Sequence, residues 1–327
     1  MMKKKLLCVL LACMKKKLLC VLLACLLLLS IGCAAEKPQT TLRVAALKGP
    51  TGMGLAYLMQ ENSSEFPVEL LDAPDVVTGK FINGEVDIAA VPVNLAAVLS
   101  NKTEGEAVMI AVNTLGVLYI LENGETVQSM ADLAGKTLYA TGQGSTPQYV
   151  LEYLLEQNGL KDKVTVEYIA EHATLAAMAA AGEVSLAMLP EPNVSAVLLK
   201  NESARIALDL TSEWDAVSDA QLLQGCYIVR RSVLESEPEA VQAFLDAAAK
   251  SAERVNREAE APALIAELGI VGSEAIAARA IPSCHIVCIT GEQMQLAAEA
   301  MLNVLYAANP KSIGGQLPDA SFYAKLD

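Results

Sequence analysis

Two stretches of the chain repeat one order of elements, and this repeat limits the possible fold more than any other feature. Residues 42–59 (LRVAALKGPTGMGLAYLM) and 137–155 (TLYATGQGSTPQYVLEYLL) each run from a short apolar segment through a glycine-containing loop into apolar residues at helical spacing. That order is typical of a strand, a tight loop and a helix. A second matching pair follows, GEVDIAAVP at 84–92 and GEVSLAMLP at 182–190. The repeat predicts two similar α/β lobes.

The loop of the second copy is predicted to end in a helix N-terminus that faces a ligand. Ser145 and Gln148 fit the S-x-x-Q capping box, and Pro147 falls in the first turn, where a missing N–H group has no cost. A helix N-terminus offers free N–H groups and a partial positive charge to an anion or a polar oxygen. Ligands of open α/β sheets bind at the carboxyl ends of the strands, so both loops are expected to face one site.

The remaining apolar runs and helical patterns extend this organisation along the chain. The predicted strands are 42–47, 68–71, 87–91, 108–114, 118–121, 137–140, 164–169, 186–189, 206–210 and 224–229. Besides the helix after the second loop, the predicted helices are 54–60, 75–82, 95–100, 173–181, 194–199, 237–257, 262–268, 273–280 and 292–308. The chain is expected to cross between the lobes near 113–121 and near 210–230, which would form a two-stranded hinge.

Charge and length exclude several classes of protein. The chain has 327 residues, enough for about two domains, and 53% of them are apolar. Its formal net charge is −14, and removing the six lysines of residues 1–32 takes it to −20. Such an acidic chain is a poor candidate for binding nucleic acid or an anionic membrane surface.

The N-terminus is typical of a secretory signal. Residues 2–13 (MKKKLLCVLLAC) are copied at 14–25, which indicates a duplicated start and carries no fold information. Basic residues precede an apolar run, so residues 1–32 are predicted to be a signal peptide. The alternative is an uncleaved transmembrane helix, for which the apolar run at 18–31 is short.

The segment LSIGC ending at Cys33 is close to a bacterial lipobox, although Ser30 stands where a leucine is typical. Cleavage and lipidation are predicted at Cys33, with residues 33–40 as a tether. Cys25 and Cys13 are competing matches.

Three cysteines remain, Cys226, Cys284 and Cys288, and an odd number does not indicate a disulfide framework. The segment CHIVC at 284–288 lacks a C-x-x-C metal spacing. If it is a strand, Cys284 and Cys288 share one face and His285 points away. Ordinary packing is the favoured interpretation, no metal is expected, and a Cys226–Cys284 disulfide stays open.

No catalytic motif stands out. The chain has two histidines, and the glycine loops fit neither a dinucleotide nor a Walker pattern, so no cofactor is expected. His172 precedes a predicted helix and is interpreted as a capping or surface residue. Glu191 stands between two prolines at a strand end inside the repeated phrase. It either faces the cleft and accepts a hydrogen bond from an amino group, or is a solvated turn residue.

These phrases together resemble a known family. The leader, the paired lobes and the motifs ALKGPTGMG, NGEVDIAAVPVN, ATGQGSTP and GEVSLAMLPEP are similar to the solute-binding lipoproteins of ABC importers. The resemblance is to the nitrate, taurine, sulfonate and thiamine-pyrimidine-precursor branch, and it covers residues 41–327. It implies a type II periplasmic-binding-protein fold, a monomer whose lobes close on a ligand by hinge motion. Lobe one would comprise 41–115 with 226–327, and lobe two 116–225.

The resemblance also implies partners and a location. The chain would be anchored outside the cytoplasmic membrane by its lipid alone, and would deliver a small polar solute to a permease and an ATPase. Carried onto this sequence, the expected ligand-binding residues are Lys48, Gly49, Thr51, Gly52, Met53, Gly54, Pro92, Asn94, Asn113, Thr114, Gln143, Gly144, Ser145, Thr146, Glu191 and Asn193.

The residue types in these loops bear on the charge of the ligand. None is arginine, the usual clamp for an anion, and Lys48 is the cationic candidate. A neutral or zwitterionic molecule, such as a planar heterocycle, is therefore favoured. If Ser145 caps the helix, it is less available to the ligand, and Gln143 or Thr146 becomes the favoured ligand contact in this loop.

Two alternatives accompany the binding-protein interpretation. One is a pyrimidine-precursor synthase on the same scaffold; the resemblance implies that such enzymes need a sacrificial histidine and a cysteine-rich motif. Neither His172 nor His285 is predicted in a cleft loop, and lobe one has no cysteine cluster. The other alternative is a ligand-sensing receptor domain, which the sequence does not separate from a transport component.

Overall fold

The apolar runs of both repeats become strands of two separate sheets. The computed structural model describes residues 40–326; the predicted signal peptide, Cys33 and the tether up to residue 39 lie outside the described residues. The strands are β1 Val44–Leu47, β2 Val68–Leu71, β3 Ile88–Pro92, β4 Ala107–Leu115, β5 Leu118–Asn123, β6 Thr137–Ala140, β7 Thr165–Tyr168, β8 Leu186–Pro190, β9 Ala204–Asp209, β10 Leu223–Arg230 and β11 Ile286–Ile289.

Most helices follow the predicted periodic segments, but those at Pro50–Met53, Leu210–Asp215 and Arg231–Ser236 were not predicted. They are α1 Pro50–Met53, α2 Ala56–Glu61, α3 Pro74–Ile82, α4 Val93–Lys102, α5 Thr146–Gln157, α6 His172–Ala181, α7 Asn193–Lys200, α8 Leu210–Asp215, α9 Arg231–Ser236, α10 Pro238–Arg257, α11 Ala261–Glu267, α12 Glu274–Ala280 and α13 Gly291–Ala308. Short 3-10 turns are Met130–Leu133, Ile281–Ser283, Pro310–Ile313 and Ala320–Phe322. Within residues 40–326, no helix is long and apolar enough to span a bilayer.

The two sheets have the same construction at their centres. The first has the order β11-β4-β10-β3-β1-β2 and the second β7-β6-β8-β5-β9. In the first, β1 pairs in parallel with β2 and β3, and β10 lies antiparallel beside β3. In the second, β6 pairs in parallel with β7 and β8, and β5 lies antiparallel beside β8. The prediction of two similar α/β halves is confirmed.

The chain passes between the sheets twice. It leaves the first sheet after β4, enters β5 within three residues, and returns through α8 to β10. Gly116 is required at the first crossing, because a Cβ atom there would lie 2.2 Å from the Thr211 hydroxyl of α8. The two crossings are therefore packed against each other. The lobe boundaries given above remain a prediction.

His285 holds the first crossing from outside the sheet. Its carbonyl accepts a hydrogen bond from the Leu115 N–H at 3.2 Å, and its Nδ1 donates to the Gly116 carbonyl at 2.5 Å. The backbone of His285 has φ +43°, so strand geometry begins only at Ile286. The segment 284–288 is therefore not one strand, and the condition under which Cys284 and Cys288 would share a face is not met.

The cysteines pack as small apolar residues. Cys226, Cys284 and Cys288 are all free, so the Cys226–Cys284 pairing left open by the sequence is absent. Cys226 and Cys284 are fully buried in two different apolar clusters, and Cys288 packs beside a third. None of the described residues forms a group of three metal-ligating side chains.

The predicted capping box at α5 does not form. The Ser145 hydroxyl donates to the Gly142 carbonyl at 3.1 Å, and Gln148 accepts from the Gly144 N–H at 2.6 Å. Gly142 and Gly144 both have left-handed φ values, +82° and +77°. In this tight loop the Ser145 hydroxyl is turned toward the Gly142 carbonyl, and it accepts no hydrogen bond from the first turn of α5.

Candidate functional site

A cavity of about 410 Å³ lies between the two sheets, at the carboxyl ends of β1, β3 and β8. This volume is in the usual range for a small-molecule pocket. It is lined by Leu47, Lys48, Gly49, Pro50, Thr51, Asp72, Pro74, Pro92, Thr114, Val117, Ser145, Pro147, Glu171, His172, Ala173, Pro190, Glu191, Pro192, Asn193, Ala196, Gln224, Gly225, Ile270, Val271, Gly272 and Ile276. Loops of both repeats therefore face one space.

The first glycine loop forms one wall. Gly49 adopts φ +103°, which only glycine accepts readily, and it starts α1 directly after β1. A Cβ placed on Gly49 would lie 3.7 Å from Cδ of Pro192, so the loop closely faces the turn after β8. The Thr51 hydroxyl donates to the Leu47 carbonyl at 2.9 Å. Lys48 forms an exposed ion pair with Asp72 at 2.9 Å.

Glu191 is the buried charge of the opposite wall, with only 3% of its surface exposed. One carboxylate oxygen accepts from the Ser195 N–H and the other from the Ser195 hydroxyl, both at 3.0 Å. Burial raises the pKa of Glu191, while the bonds from Ser195 and the charge of Arg279 act in the opposite direction. The alternative of a solvated turn glutamate is wrong, because the residue is folded under the first turn of α7.

His172 also lines the cavity, which the sequence did not predict. It opens α6, and its Nδ1 lies 2.6 Å from the Thr141 hydroxyl. Burial lowers the pKa of His172, so the imidazole is neutral at neutral pH. With Nδ1 engaged by Thr141, Nε2 is the ring nitrogen left to contact a ligand. The expectation that neither histidine lies at the cleft is therefore wrong for His172.

The predicted site residues divide into two groups. Those that line the cavity are Lys48, Gly49, Thr51, Pro92, Thr114, Ser145, Glu191 and Asn193. Those that lie outside its lining are Gly52, Met53, Gly54, Asn94, Asn113, Gln143, Gly144 and Thr146. Ligand binding by any of the sixteen remains a prediction.

Packing explains several of the second group. A Cβ on Gly52 would lie 2.8 Å from the Leu47 carbonyl, and one on Gly54 would lie 3.0 Å from Ile286, so both glycines serve close packing. The Thr146 hydroxyl donates to Asn94 Oδ1 at 3.0 Å, while Asn94 Nδ2 donates to a backbone carbonyl at 3.0 Å. Asn94 and Thr146 thus join the two halves behind the cavity.

The chain matches a family model described as NMT1/THI5 like over residues 83–261, more than half of its length. The chain belongs to the NMT1/THI5-like family. A search of curated proteins found no match. Its structure is similar to one described as an ABC transporter from Parabacteroides distasonis, with 27% identity and a TM-score of 0.75 over 88% of this chain and 100% of that one.

Two further solved structures show the fold of this NMT1/THI5-like protein. The periplasmic aliphatic sulphonate binding protein SsuA from Escherichia coli has 18% identity and a TM-score of 0.69, over 89% of this chain and 94% of that one. SsuA from Xanthomonas axonopodis pv. citri, bound to MOPS, has 19% identity and a TM-score of 0.66, over 87% and 96%. The fold is the type II periplasmic-binding-protein fold, as the sequence resemblance implied.

The cavity of this NMT1/THI5-like protein is acidic. Its charged lining residues are Lys48, Asp72, Glu171 and Glu191, and the described lining includes no arginine. The lysine is already paired with Asp72. A strongly anionic ligand would therefore meet a buried carboxylate without a bidentate cationic partner.

Replacing Glu191 by glutamine is expected to change how stability of the unliganded protein depends on pH. A raised pKa means that the folded protein holds the proton more tightly than the unfolded chain. The free energy of unfolding of the wild type should therefore fall, relative to the variant, as pH rises from the ordinary glutamate range through the folded-state pKa. Urea unfolding at a series of pH values checks this. The same change at exposed Glu183 is the control, and parallel profiles for wild type and Glu191→Gln would contradict it.

Proposed function

We propose that this chain is an extracytoplasmic solute-binding protein. It captures a small neutral or zwitterionic polar molecule in the cavity between its lobes and delivers it to the permease of an ABC importer. The observation that carries the proposal is one cavity lined by the loops of both repeats, with buried Glu191 in one wall. A site shared between two lobes is how type II binding proteins enclose a ligand.

The comparisons support transport rather than catalysis. Two of the similar structures are described as sulphonate-binding proteins and one as an ABC transporter. In our proposal this chain works in the same way, with a permease and an ATPase as partners. Residues 41–115 with 226–327 form lobe one, residues 116–225 form lobe two, and the monomer closes about the two crossings.

We further propose that the protein is held at the outer face of the membrane by lipid on Cys33. The basic and apolar leader and the LSIGC segment support this. Metabolic labelling with a fatty acid, compared between the wild type and Cys33→Ala, tests it. Label that persists in Cys33→Ala would place the modification elsewhere, at Cys25 or Cys13.

The ligand proposed here differs in charge from the sulphonates that the similar proteins bind. Those proteins share 18–19% identity with this chain, which relates the folds and not the ligands. In this chain Glu191 is positioned to accept a hydrogen bond from an amino or ring N–H group. Bonds to a charged group contribute about 1.5–3 kcal/mol, so we expect Glu191→Gln to weaken binding of such a ligand.

Native mass spectrometry of the purified protein tests the proposal. A solute enclosed between lobes is expected to survive gentle purification and to add its mass to the protein. The same solute should raise the melting temperature in proportion to the logarithm of its concentration. An empty spectrum together with no thermal shift from any amine, heterocycle or sulphonate would overturn the proposal.

One observation favours a catalytic alternative, namely the position of His172 in the cavity lining. Against it, no cysteine is among the described residues that line the cavity, so the cysteine-rich motif expected of such an enzyme has no counterpart there. Incubation of the protein with its retained solute separates the alternatives. Conversion of the solute, or a mass change on His172, would favour the enzyme.

A further inference from the structure

Two buried amide groups, one in the lining of the cavity and one beside the lining residue Gly225, have N–H donors without a partner. They are Asn113 Nδ2 and Gln224 Nε2, and the two side chains are 1% and 8% exposed. A buried donor left unpaired is destabilising and rare in folded proteins. We propose that Gln224 determines specificity by donating to a carbonyl-type acceptor on an uncharged solute. This rests on the proposed function and names the class of its ligand.

The strand pairing explains why these two side chains leave the regular sheet. Along β10 and β4, Leu223 pairs with Leu115 and Gly225 with Thr114, so Gln224 is an extra residue of β10. The next pair joins Cys226 and Val112, so Asn113 is an extra residue of β4. Such bulges re-aim side chains and are frequent beside functional sites. The side chain of Gln224 consequently lines the cavity and does not follow the regular alternation of side chains between the two faces of the sheet.

Gly225 keeps the floor of the cavity open next to Gln224. A Cβ atom there would lie 2.5 Å from Asn113 Oδ1 and 3.0 Å from the Thr51 methyl group. The Thr114 hydroxyl donates to Asn113 Oδ1 at 2.9 Å, which orients the amide and leaves its Nδ2 as the unpaired end. Gly225 thus leaves room for a ligand atom near the unpaired N–H donor of Gln224.

The donor and acceptor pattern of the walls selects a class of molecule. Gln224 offers the cavity a neutral N–H donor, which fits a carbonyl oxygen or a ring nitrogen. The opposite wall holds the Glu191 carboxylate, which favours a ligand N–H and disfavours a second negative charge. The ligand class is therefore an uncharged carboxamide or lactam-like molecule, with its carbonyl on Gln224 and an N–H toward Glu191.

The unliganded protein provides the first test. Gln224→Met keeps the length of the side chain and removes its donor, so the urea midpoint should equal or exceed that of the wild type. Ser251→Ala is the matched control, because the buried Ser251 hydroxyl accepts from the N–H groups of Tyr57 and Leu58, and its loss should lower the midpoint. A midpoint for Gln224→Met as low as that of Ser251→Ala would make Gln224 a structural residue and overturn the proposal.

Matched probes provide the second test. Nicotinamide with nicotinate, and benzamide with benzoate, differ within each pair by an uncharged carboxamide against a carboxylate. At millimolar concentration we expect an amide, and not its acid, to raise the melting temperature of the wild type. The affinity for the amide should fall about tenfold or more in Gln224→Met, because one hydrogen bond to the ligand is lost.

The outcomes separate this inference from the proposed function. If the acids stabilise better than the amides, or the amide binds Gln224→Met as well as the wild type, the inference is wrong and the binding role stands. If no probe shifts the melting temperature but native mass spectrometry shows a retained molecule without a carbonyl or ring-nitrogen acceptor, the inference again fails alone. If nothing is retained and neither these probes nor any amine, heterocycle or sulphonate shifts the melting temperature, both proposals fail.

Discussion

Gly225→Ala is expected to lower solute affinity by about a hundredfold and the free energy of unfolding by about 1–3 kcal/mol. The new Cβ would lie 2.5 Å from Asn113 Oδ1, 3.0 Å from the Thr51 methyl group and 3.3 Å from the Thr114 hydroxyl. These atoms belong to β4 and to α1, so relief of the clash must move a cavity wall. Binding and stability should therefore fall together.

Gly79→Ala is the matched control for Gly225→Ala. Gly79 lies in α3, and a Cβ there would meet no atom within 4 Å. Alanine in a helix is favoured over glycine, so stability should rise by about 0.5–1 kcal/mol with no change in affinity. Isothermal titration with the retained solute and urea unfolding measure both quantities. Full affinity in Gly225→Ala would show that the solute binds away from this floor.

Trp214→Ala is expected to lower the free energy of unfolding by about 3–5 kcal/mol. Trp214 is fully buried in α8, at the second crossing, in the apolar cluster that includes residues of both sheets. Its ring packs on Tyr153 at 4.9 Å between centroids, and its indole N–H donates to the Ala220 carbonyl at 2.5 Å. The substitution leaves a large cavity and an unpaired buried carbonyl in the segment that connects the lobes.

The conservative variant separates these two effects. Trp214→Phe keeps most of the apolar volume but removes the bond to Ala220, so a smaller loss of about 1–3 kcal/mol is expected. Because Trp214 is the only tryptophan of the chain, circular dichroism rather than fluorescence follows the unfolding in urea. A loss below about 1 kcal/mol for Trp214→Ala would show that the crossing contributes little to stability.

The elements were predictable because their periodicity lies within short windows. The strands Val68–Leu71 and Thr137–Ala140 begin and end where the apolar runs do, and α10 begins one residue after its predicted start. From the internal repeat, these elements were then predicted to form two similar sheets. The prediction that was wrong concerned the hydrogen bonds of the loop before α5. Ser145 bonds to the Gly142 carbonyl instead of capping α5, because two left-handed glycines fold the loop back on itself.

The site was predictable only as far as the repeated loops extend. Lys48, Glu191 and Asn193 follow repeated strands and do line the cavity. Gln224 was missed because its orientation depends on a register shift between β10 and β4, which no window of sequence reveals. Ile270 and Val271 reach the cavity from the loop between α11 and α12, far along the chain. The predicted helices 262–268 and 273–280 left a loop between them, but the sequence did not indicate that this loop lines the cavity.

Asn94 and Thr146 show a different limit. Each stands at the helix N-terminus after a repeated strand, where ligand contact was expected. In the structure the two side chains bond to each other, 52 positions apart in the sequence. The sequence did not predict this bond between the lobes, and ligand contact by either residue stays a prediction.

The most direct test of whether the solute contacts both lobes is hydrogen–deuterium exchange measured with and without the retained solute. Binding between the lobes should slow exchange together in the segments that contain Lys48 to Thr51, Glu191 to Asn193 and Gln224 to Gly225. Segments distant from the cavity, such as the middle of α10, should exchange as before. Protection confined to one sheet's loops, or found away from this cavity, would contradict capture of a solute between the lobes.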